Sequence, residues 1–314
     1  MADNQSNQNA KDYHLDIPAA SEGFFLKGAS HCDWGLKSRL ARMFNPASGR
    51  TVMLAFDHGY IMGPTAGLER LDVSVPPLIP YVDVLMATRG ALRTSISPAH
   101  RKAVCLRTNY DSSVLFEDMS QGGGIACDIQ NAVRMGADAL AIQTFIGAPG
   151  ESNSLELLSR AVDAGTDFGL PVLGVVAVGK DMARDERFFL LATRLVAETG
   201  AHLVKSYYCE GFERVAAACP VPIVIAGGKK LPEDEALAMC WKAINEGAAG
   251  VDMGRNIFQA GSPSAMCQAV GKIVHEKHTA KEAYQFYQHL CQVPAKGTAK
   301  SPAKSGRQKG RKSK

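Results

Sequence analysis

Eight short apolar runs recur between residues 51 and 255: TVMLAF, DVLMAT, AVCLRT, DALAIQTF, PVLGVVAV, HLVKSYY, PIVIAGG and GVDMG. Each is almost continuously apolar rather than alternating, the pattern of parallel strands covered by helices. They recur every twenty to thirty-five residues, and amphipathic stretches fill the longer gaps, as βα units require. Asn153 to Gly165 reads as a helix with Asn153 and Glu156 at capping-box spacing, and Glu186 to Thr199 as one with a Phe/Leu-rich stripe. A third opens at Pro232, with Glu233, Asp234 and Glu235 in its first turn and Leu237, Cys240, Trp241 and Ile244 on one face.

Met135-Gly136-Ala137-Asp138, Thr199-Gly200-Ala201-His202 and Glu246-Gly247-Ala248-Ala249 form a weak internal repeat, each lying between a helix and a strand. Glycine there serves as the helix stop. Eight such units predict an α/β fold of one domain, a (β/α)8 TIM barrel, over an open doubly wound sheet. No G-x-G-x-x-G follows the first run, which weakens a dinucleotide-binding alternative. LKSRLARMF, within Phe24 to Pro46, has helical spacing and predicts an N-terminal helical extension that caps the lower end of the barrel or joins subunits. The barrel with its extension is expected over 24–293, between a flexible polar segment, 1–23, and a disordered basic tail, 294–314.

The net charge of +4 is misleading, because the tail from Pro294 carries eight Lys or Arg and no acid; removing those eight charges leaves −4 for the rest. A folded part that is mildly acidic excludes a specific nucleic-acid function, and no apolar run reaches the ~20 residues of a membrane span. The eight cysteines are scattered, without a C-x-x-C pair or a preceding signal peptide, so reduced thiols and a cytoplasmic location are expected.

A barrel places chemistry at the C-terminal ends of its strands. Those ends carry Asp57-His58-Gly59, Thr88-Arg89-Gly90, Arg107, Gln143, Gly179-Lys180-Asp181, Lys205, Gly227-Gly228-Lys229-Lys230 and Gly254-Arg255-Asn256. Lys205 is the one lysine inside a strand core, preceded by Leu203-Val204 and followed by Tyr207-Tyr208. Burial favours the neutral amine that attacks a ketone to form a Schiff base; the other reading is a lysine paired with a buried carboxylate such as Asp57.

Gly227 and Gly228 on the seventh strand and Gly254 with Arg255 on the eighth suit a phosphate, since glycine lets backbone N–H groups approach an anion and arginine adds a charged donor. Asp57 could hold a proton or steady an ammonium and His58 could shuttle protons, or the two could simply cap the first loop. No metal site is expected: His275 and His278 fall in a late helix without acidic or cysteine partners at ligand spacing and read as a solvated face. Cys209 reads as a buried or loop thiol.

The strand-borne lysine, F-D-H-G, I-A-G-G and M-G-R-N together resemble the class I aldolases of the archaeal and DhnA type. Longer stretches, among them NPASGRTVMLAFDHGY, VGKDMARDERFFLLATRLVAETGAHLVKSYY and GAAGVDMGRNIFQ, resemble a thiolase branch of that family that acts on phosphorylated autoinducer-two. The resemblance covers roughly Phe24 to Leu290. It implies that Lys205 forms the Schiff base, that Asp57 assists, and that Gly227, Gly228, Gly254 and Arg255 hold the substrate phosphate. It also implies a homo-oligomer, with a decamer of two stacked rings as one form.

Where the aldolases carry a tyrosine general acid on the fifth strand, this chain reads Gly174-Val175-Val176-Ala177-Val178-Gly179. That departure fits thiolysis of the 1,3-diketone 3-hydroxy-5-phosphonooxypentane-2,4-dione, with coenzyme A as co-substrate, no bound cofactor and His58 as base near the thiol. The products would be acetyl-CoA and dihydroxyacetone phosphate. The alternatives are a class I aldolase acting on a phosphosugar such as fructose bisphosphate, and a non-catalytic phosphosugar-binding barrel.

Overall fold

All eight apolar runs are strands: β1 Thr51–Ala55, β2 Val84–Thr88, β3 Ala103–Arg107, β4 Ala139–Thr144, β5 Val172–Val176, β6 Leu203–Tyr207, β7 Ile223–Ala226 and β8 Gly250–Met253. In the computed structural model, which describes residues 14–18, 23–178 and 183–292, they are parallel and close in the order β1-β8-β7-β6-β5-β4-β3-β2. The expectations for Gly179-Lys180-Asp181, for the basic tail and for most of 1–23 lie outside the described residues.

Alternate residues of each strand divide between two apolar populations. Met53, Val84, Cys105, Ala141, Leu173, Leu203 and Val224 fill the barrel interior, whereas Val52, Leu85, Leu106, Leu140, Val172, Val204 and Ile225 pack outward against the helices. Both faces are buried, so the period-two alternation of a strand is hidden at the level of hydrophobicity.

The N-terminal extension folds as α1, Trp34–Met43, capped by Asp33, whose carboxylate accepts from the Leu36 N–H at 2.7 Å. Its buried Leu36, Leu40 and Met43 join the interior population, so the helix plugs the lower end of the barrel. The helices expected later are α2 Glu151–Asp167, α3 Glu186–Glu198 and α4 Glu233–Asn245. Two details differ from expectation. Asn153 is not a cap, because α2 begins two residues earlier and the Asn153 amide donates instead to the Gly123 carbonyl at 3.2 Å. Trp241 lies at the exposed edge of α4 rather than on its buried face. The glycine stops do form: Gly136, Gly200 and Gly247 all have positive φ.

His275 is no solvated helix-face residue. In α5, Pro263–Glu276, its Nε2 lies 3.0 Å from Asp83 Oδ2 and its Nδ1 2.8 Å from Ser48 Oγ, while Asp83 also accepts from the Val52 N–H at 2.7 Å. The three residues clamp the bottom of β1 and β2 to the helical layer. His278 lies beyond the end of that helix. All eight cysteines are free, seven of them buried. Among the described residues no helix is long and apolar enough to cross a membrane.

Candidate active site

The inward alternation continues past the apolar interior to the C-terminal mouth. There it delivers Asp57, Arg107, Gln143 and Lys205 into one cavity of about 620 Å³, with His58, Tyr60, Tyr207, Arg184 and Arg255 on its walls. Asp252 lies one layer below, fully buried.

Lys205 is paired with a buried carboxylate, but the partner is Asp252 of β8 and not Asp57. Nζ lies 2.9 Å from Asp252 Oδ2, with side chains 11% and 0% exposed, and 3.5 Å from Met86 Sδ across the barrel. The approach is off the direction of a hydrogen bond, which leaves both Asp252 oxygens without an aligned donor. Burial pushes the Asp252 carboxyl above its ordinary range despite the nearby ammonium. Asp252 is thus placed to accept a proton from Lys205, and the neutral amine is the form that attacks a carbonyl.

Asp57 is engaged elsewhere. Its Oδ2 accepts from Arg107 Nε at 2.9 Å, and Oδ1 is 4.0 Å from His58 Nδ1. Burial alone would raise this carboxyl, but the charges of Arg107, Lys205 and His58 outweigh it and hold it below the usual range. The His58 pKa is also lowered, here mainly by burial: opposed by Asp57 but reinforced by Lys205, Arg255 and Arg107, burial brings it to about 4, so the imidazole is neutral near pH 7. Its edge meets Phe258, and its Nδ1 is buried without a hydrogen-bond partner.

The close approach of β1 and β8 at this point requires glycine. A Cβ on Gly254 would lie 2.5 Å from the Ala55 carbonyl oxygen and 2.6 Å from His58 Cε1. Asn256, fully buried, donates to the Gly227 carbonyl at 2.6 Å and accepts from the Leu231 N–H at 2.7 Å, which locks the β7 loop against β8. Of the four residues expected at the phosphate, Arg255 lines the cavity and has a buried Nε without a partner; Gly227, Gly228 and Gly254 lie behind its wall. Tyr207 stands between Gly228 and the cavity, and Arg184 stacks on it with Cζ 4.6 Å from the ring centre.

Cys209 is buried, and burial with the charges of Glu186 and Asp185 pushes its thiol up to about 11, so it is no nucleophile. Among the described residues no three His, Cys, Asp or Glu side chains converge as a metal would need.

Several site residues were not singled out from the sequence. Tyr60 donates from its hydroxyl to Asp111 Oδ2 at 2.9 Å and Gln143 Oε1 at 3.1 Å, under the Arg107 guanidinium, 5.3 Å from the ring centre. Burial raises the Tyr60 phenol well above its ordinary value, so it stays a neutral donor. Asp252 had one available signal: in Gly250-Val251-Asp252-Met253 it shares the inward parity of Gly250, while Val251 and Met253 pack outward.

A closed parallel barrel with an interior lysine at its C-terminal mouth suits Schiff-base chemistry, and this chain is an enzyme built on a class I aldolase scaffold. Residues 51–260 match the DeoC/LacD family aldolases, and the chain belongs to that family. The chain is similar to the 3-hydroxy-5-phosphonooxypentane-2,4-dione thiolase of Salmonella typhimurium, 53% identical over 91% of this chain and 98% of the other. The thiolase of the same name from Klebsiella pneumoniae is 54% identical over 92% and 97% of the two chains. An uncharacterised aldolase of Pasteurella multocida is 53% identical over 91% and 99%. Among solved structures, an archaeal fructose 1,6-bisphosphate aldolase superposes with a TM-score of 0.69 at 23% identity, covering 77% of this chain and 99% of the other. The fructose-bisphosphate aldolase of Slackia heliotrinireducens gives 0.71 at 17% identity, covering 84% and 93%. At these identities the two structures speak to the fold alone.

Proposed function

We propose that the enzyme is a coenzyme A-dependent thiolase cleaving 3-hydroxy-5-phosphonooxypentane-2,4-dione to acetyl-CoA and dihydroxyacetone phosphate. One observation carries the reading: thiolases 53% and 54% identical to this chain align with it over 91–92% of its length and 97–98% of their own. The site chemistry supports it. Lys205 Nζ, deprotonated toward Asp252, attacks the ketone nearer the phosphate, and loss of water leaves an iminium. The thiolate of coenzyme A adds to the acetyl carbonyl. As that adduct collapses, the bond between the acetyl carbon and the hydroxyl-bearing carbon breaks and its electron pair enters the iminium, giving acetyl-CoA and an enamine. Protonation of the enamine carbon and hydrolysis release dihydroxyacetone phosphate and free Lys205.

The thiol loses one proton and the enamine carbon gains one, so a single carrier serves both steps. His58, neutral and beside Lys205, takes that role. A phosphate on Arg255 neutralises one of the charges that hold His58 down and so strengthens it as a base. Asp57, kept ionised by Arg107, assists by balancing the positive iminium, while Asp252 is the nearer proton acceptor. Among the described residues, the end of the fifth strand and the two residues after it present Val175, Val176, Ala177 and Val178 to the cavity, where the aldolases carry their tyrosine general acid. Gly227, Gly228 and Gly254 shape the loops behind Arg255, and their backbone N–H groups would complete the phosphate site. The same reading places the enzyme in a reducing cytoplasm as a homo-oligomer, and the exposed Phe25 and Trp34 offer apolar area for assembly.

With coenzyme A present, the enzyme is expected to convert the phosphorylated pentanedione to acetyl-CoA and dihydroxyacetone phosphate in equal amounts, measured by chromatography. Without it, imine formation continues and cleavage stalls. Thiol-independent cleavage of fructose bisphosphate at a comparable rate would establish the aldolase instead, and turnover of neither substrate would leave a binding barrel.

Arg255→Ala is expected to weaken binding of the phosphorylated ketone by about 1.5–3 kcal/mol, as for a hydrogen bond to a charged group, and to leave the dephosphorylated ketone nearly unaffected. Equal losses for both ligands in a calorimetric titration would make Arg255 structural.

A further inference from the structure

Strand order gives the cavity a direction. Arg255 follows β8, Lys205 stands on β6 and Gln143 on β4, and these strands succeed one another around the barrel as β8-β7-β6-β5-β4. A phosphorylated ketone anchored at Arg255 with its near carbonyl at Lys205 therefore extends its far end over β5 and β4. That side of the cavity differs in character from the cationic end. Its walls are Ile61 and Met62 after β1, Val114 and residues 117–120 of the long β3–β4 connection, and Phe145 with residues 147–149 in the loop after β4.

The walls are fixed in place. The Val114 N–H donates to the Ile61 carbonyl at 3.0 Å, the Gly150 N–H donates to Ser120 Oγ at 3.0 Å, and a Cβ on Gly150 would overlap the Ser120 carbonyl. Between the lining residues Val114 and Glu117, Leu115 is 94% and Phe116 59% exposed. Glu117 and Asp118 add negative charge to the same rim.

We infer that the groove between residues 114–120 and the Phe145–Pro149 loop is the channel for the pantetheine arm of coenzyme A, with Leu115 and Phe116 packing against the arm outside the barrel. The inference rests on the thiolase reading above. A cavity of about 620 Å³ falls in the ~300–1,000 Å³ range that takes drug-sized ligands, so a five-carbon phosphate leaves room on this side. The thiol must arrive at the far carbonyl, which the strand order places beneath this groove. An arm that is uncharged along its length tolerates the two rim carboxylates, whereas a second phosphorylated sugar would be repelled by them.

The test compares wild type with Met119→Trp, which fills the channel, and with the lip variant Leu115→Ser/Phe116→Ser, whose exposed positions leave folding intact. Steady-state kinetics with the phosphorylated pentanedione are expected to show the KM for coenzyme A raised about tenfold or more in both variants. Borohydride capture of dihydroxyacetone phosphate at Lys205 should match wild type, and N-acetylcysteamine, a thiol without the rest of the arm, should serve the lip variant as well as wild type and Met119→Trp less well. A coenzyme A KM within twofold of wild type in the lip variant overturns the channel. Absence of any thiol dependence in the wild-type enzyme overturns the thiolase reading itself, and the two failures are thereby distinct.

Discussion

Lys205→Met is expected to lower cleavage on the order of 10⁴-fold, about 5.5 kcal/mol of lost transition-state stabilisation, and to abolish hydride capture of the ketone. The size of the effect follows from the chemistry: without an amine there is no iminium, and without the iminium the electron pair released by carbon–carbon cleavage has nowhere to go. Lys205 is the only lysine among the described residues lining the cavity, so no neighbour stands in for it. Methionine keeps the length of the side chain beside Met86, and Asp252, already raised by burial, takes up a proton when its cation is removed. Folding should therefore survive, and Lys205→Met with Asp252→Asn controls for the remaining buried acid. In wild type, borohydride with dihydroxyacetone phosphate or ribulose phosphate should add the reduced ligand's mass at Lys205. Mass found at Lys180 or Lys229 instead would remove the basis of the assignment.

How much of this was legible in the chain differs sharply between backbone and side chains. The strands could be read because a doubly buried parallel strand is an apolar run, and the runs ended within a residue or two of where the strands end. The lysine could be read because an ammonium inside such a run is costly enough to need a purpose. Its partner could not. Lys205 meets Asp252 because β6 and β8 share an interior layer, a relation set by the shear of the closed barrel and by inward parity, and parity is masked where both faces are apolar. The same masking assigned Asp57 to Lys205, when the inward Arg107 of β3 lies closer. His275 was misjudged for a related reason: spacing within its own helix cannot show Asp83 and Ser48, which arrive from the barrel floor. The short hairpin of Asn109–Tyr110 with Gly124–Ile125, which carries Asn109 and the base of the long connection, has too few residues for any periodicity to announce it.

Arg107→Met is expected to cost about 3–5 kcal/mol of stability, because it leaves a buried carboxylate without its main counter-charge. Against a typical total of roughly 5–15 kcal/mol this is a large share, and for a domain of this size it lowers Tm by about 6–20 °C. The guanidinium is almost fully buried, donates to Asp57 and to Asn109 Oδ1 at 3.3 Å, and lies over the Tyr60 ring, so water cannot replace it without opening the network. The loss should depend on pH in a definite sense. In wild type the folded Asp57 pKa lies below its unfolded value of about 3.9, so ionised Asp57 stabilises the fold above that pH, and the contribution is lost as pH falls through the folded pKa. In the variant, burial, the largest influence on this group, is opposed over this range by Lys205, because His58 is neutral above about pH 4, and the folded pKa rises. Ionised Asp57 then destabilises the fold, increasingly so as pH climbs above the unfolded value. The stability gap between wild type and Arg107→Met should thus widen from pH 4.5 to pH 7.5 in denaturant titrations, and Asp57→Asn added to the variant should recover part of it at pH 7.5. A gap of equal size at both pH values would mean that Arg107 supports the barrel by packing over Tyr60, and that the charge of Asp57 is compensated by Lys205 alone.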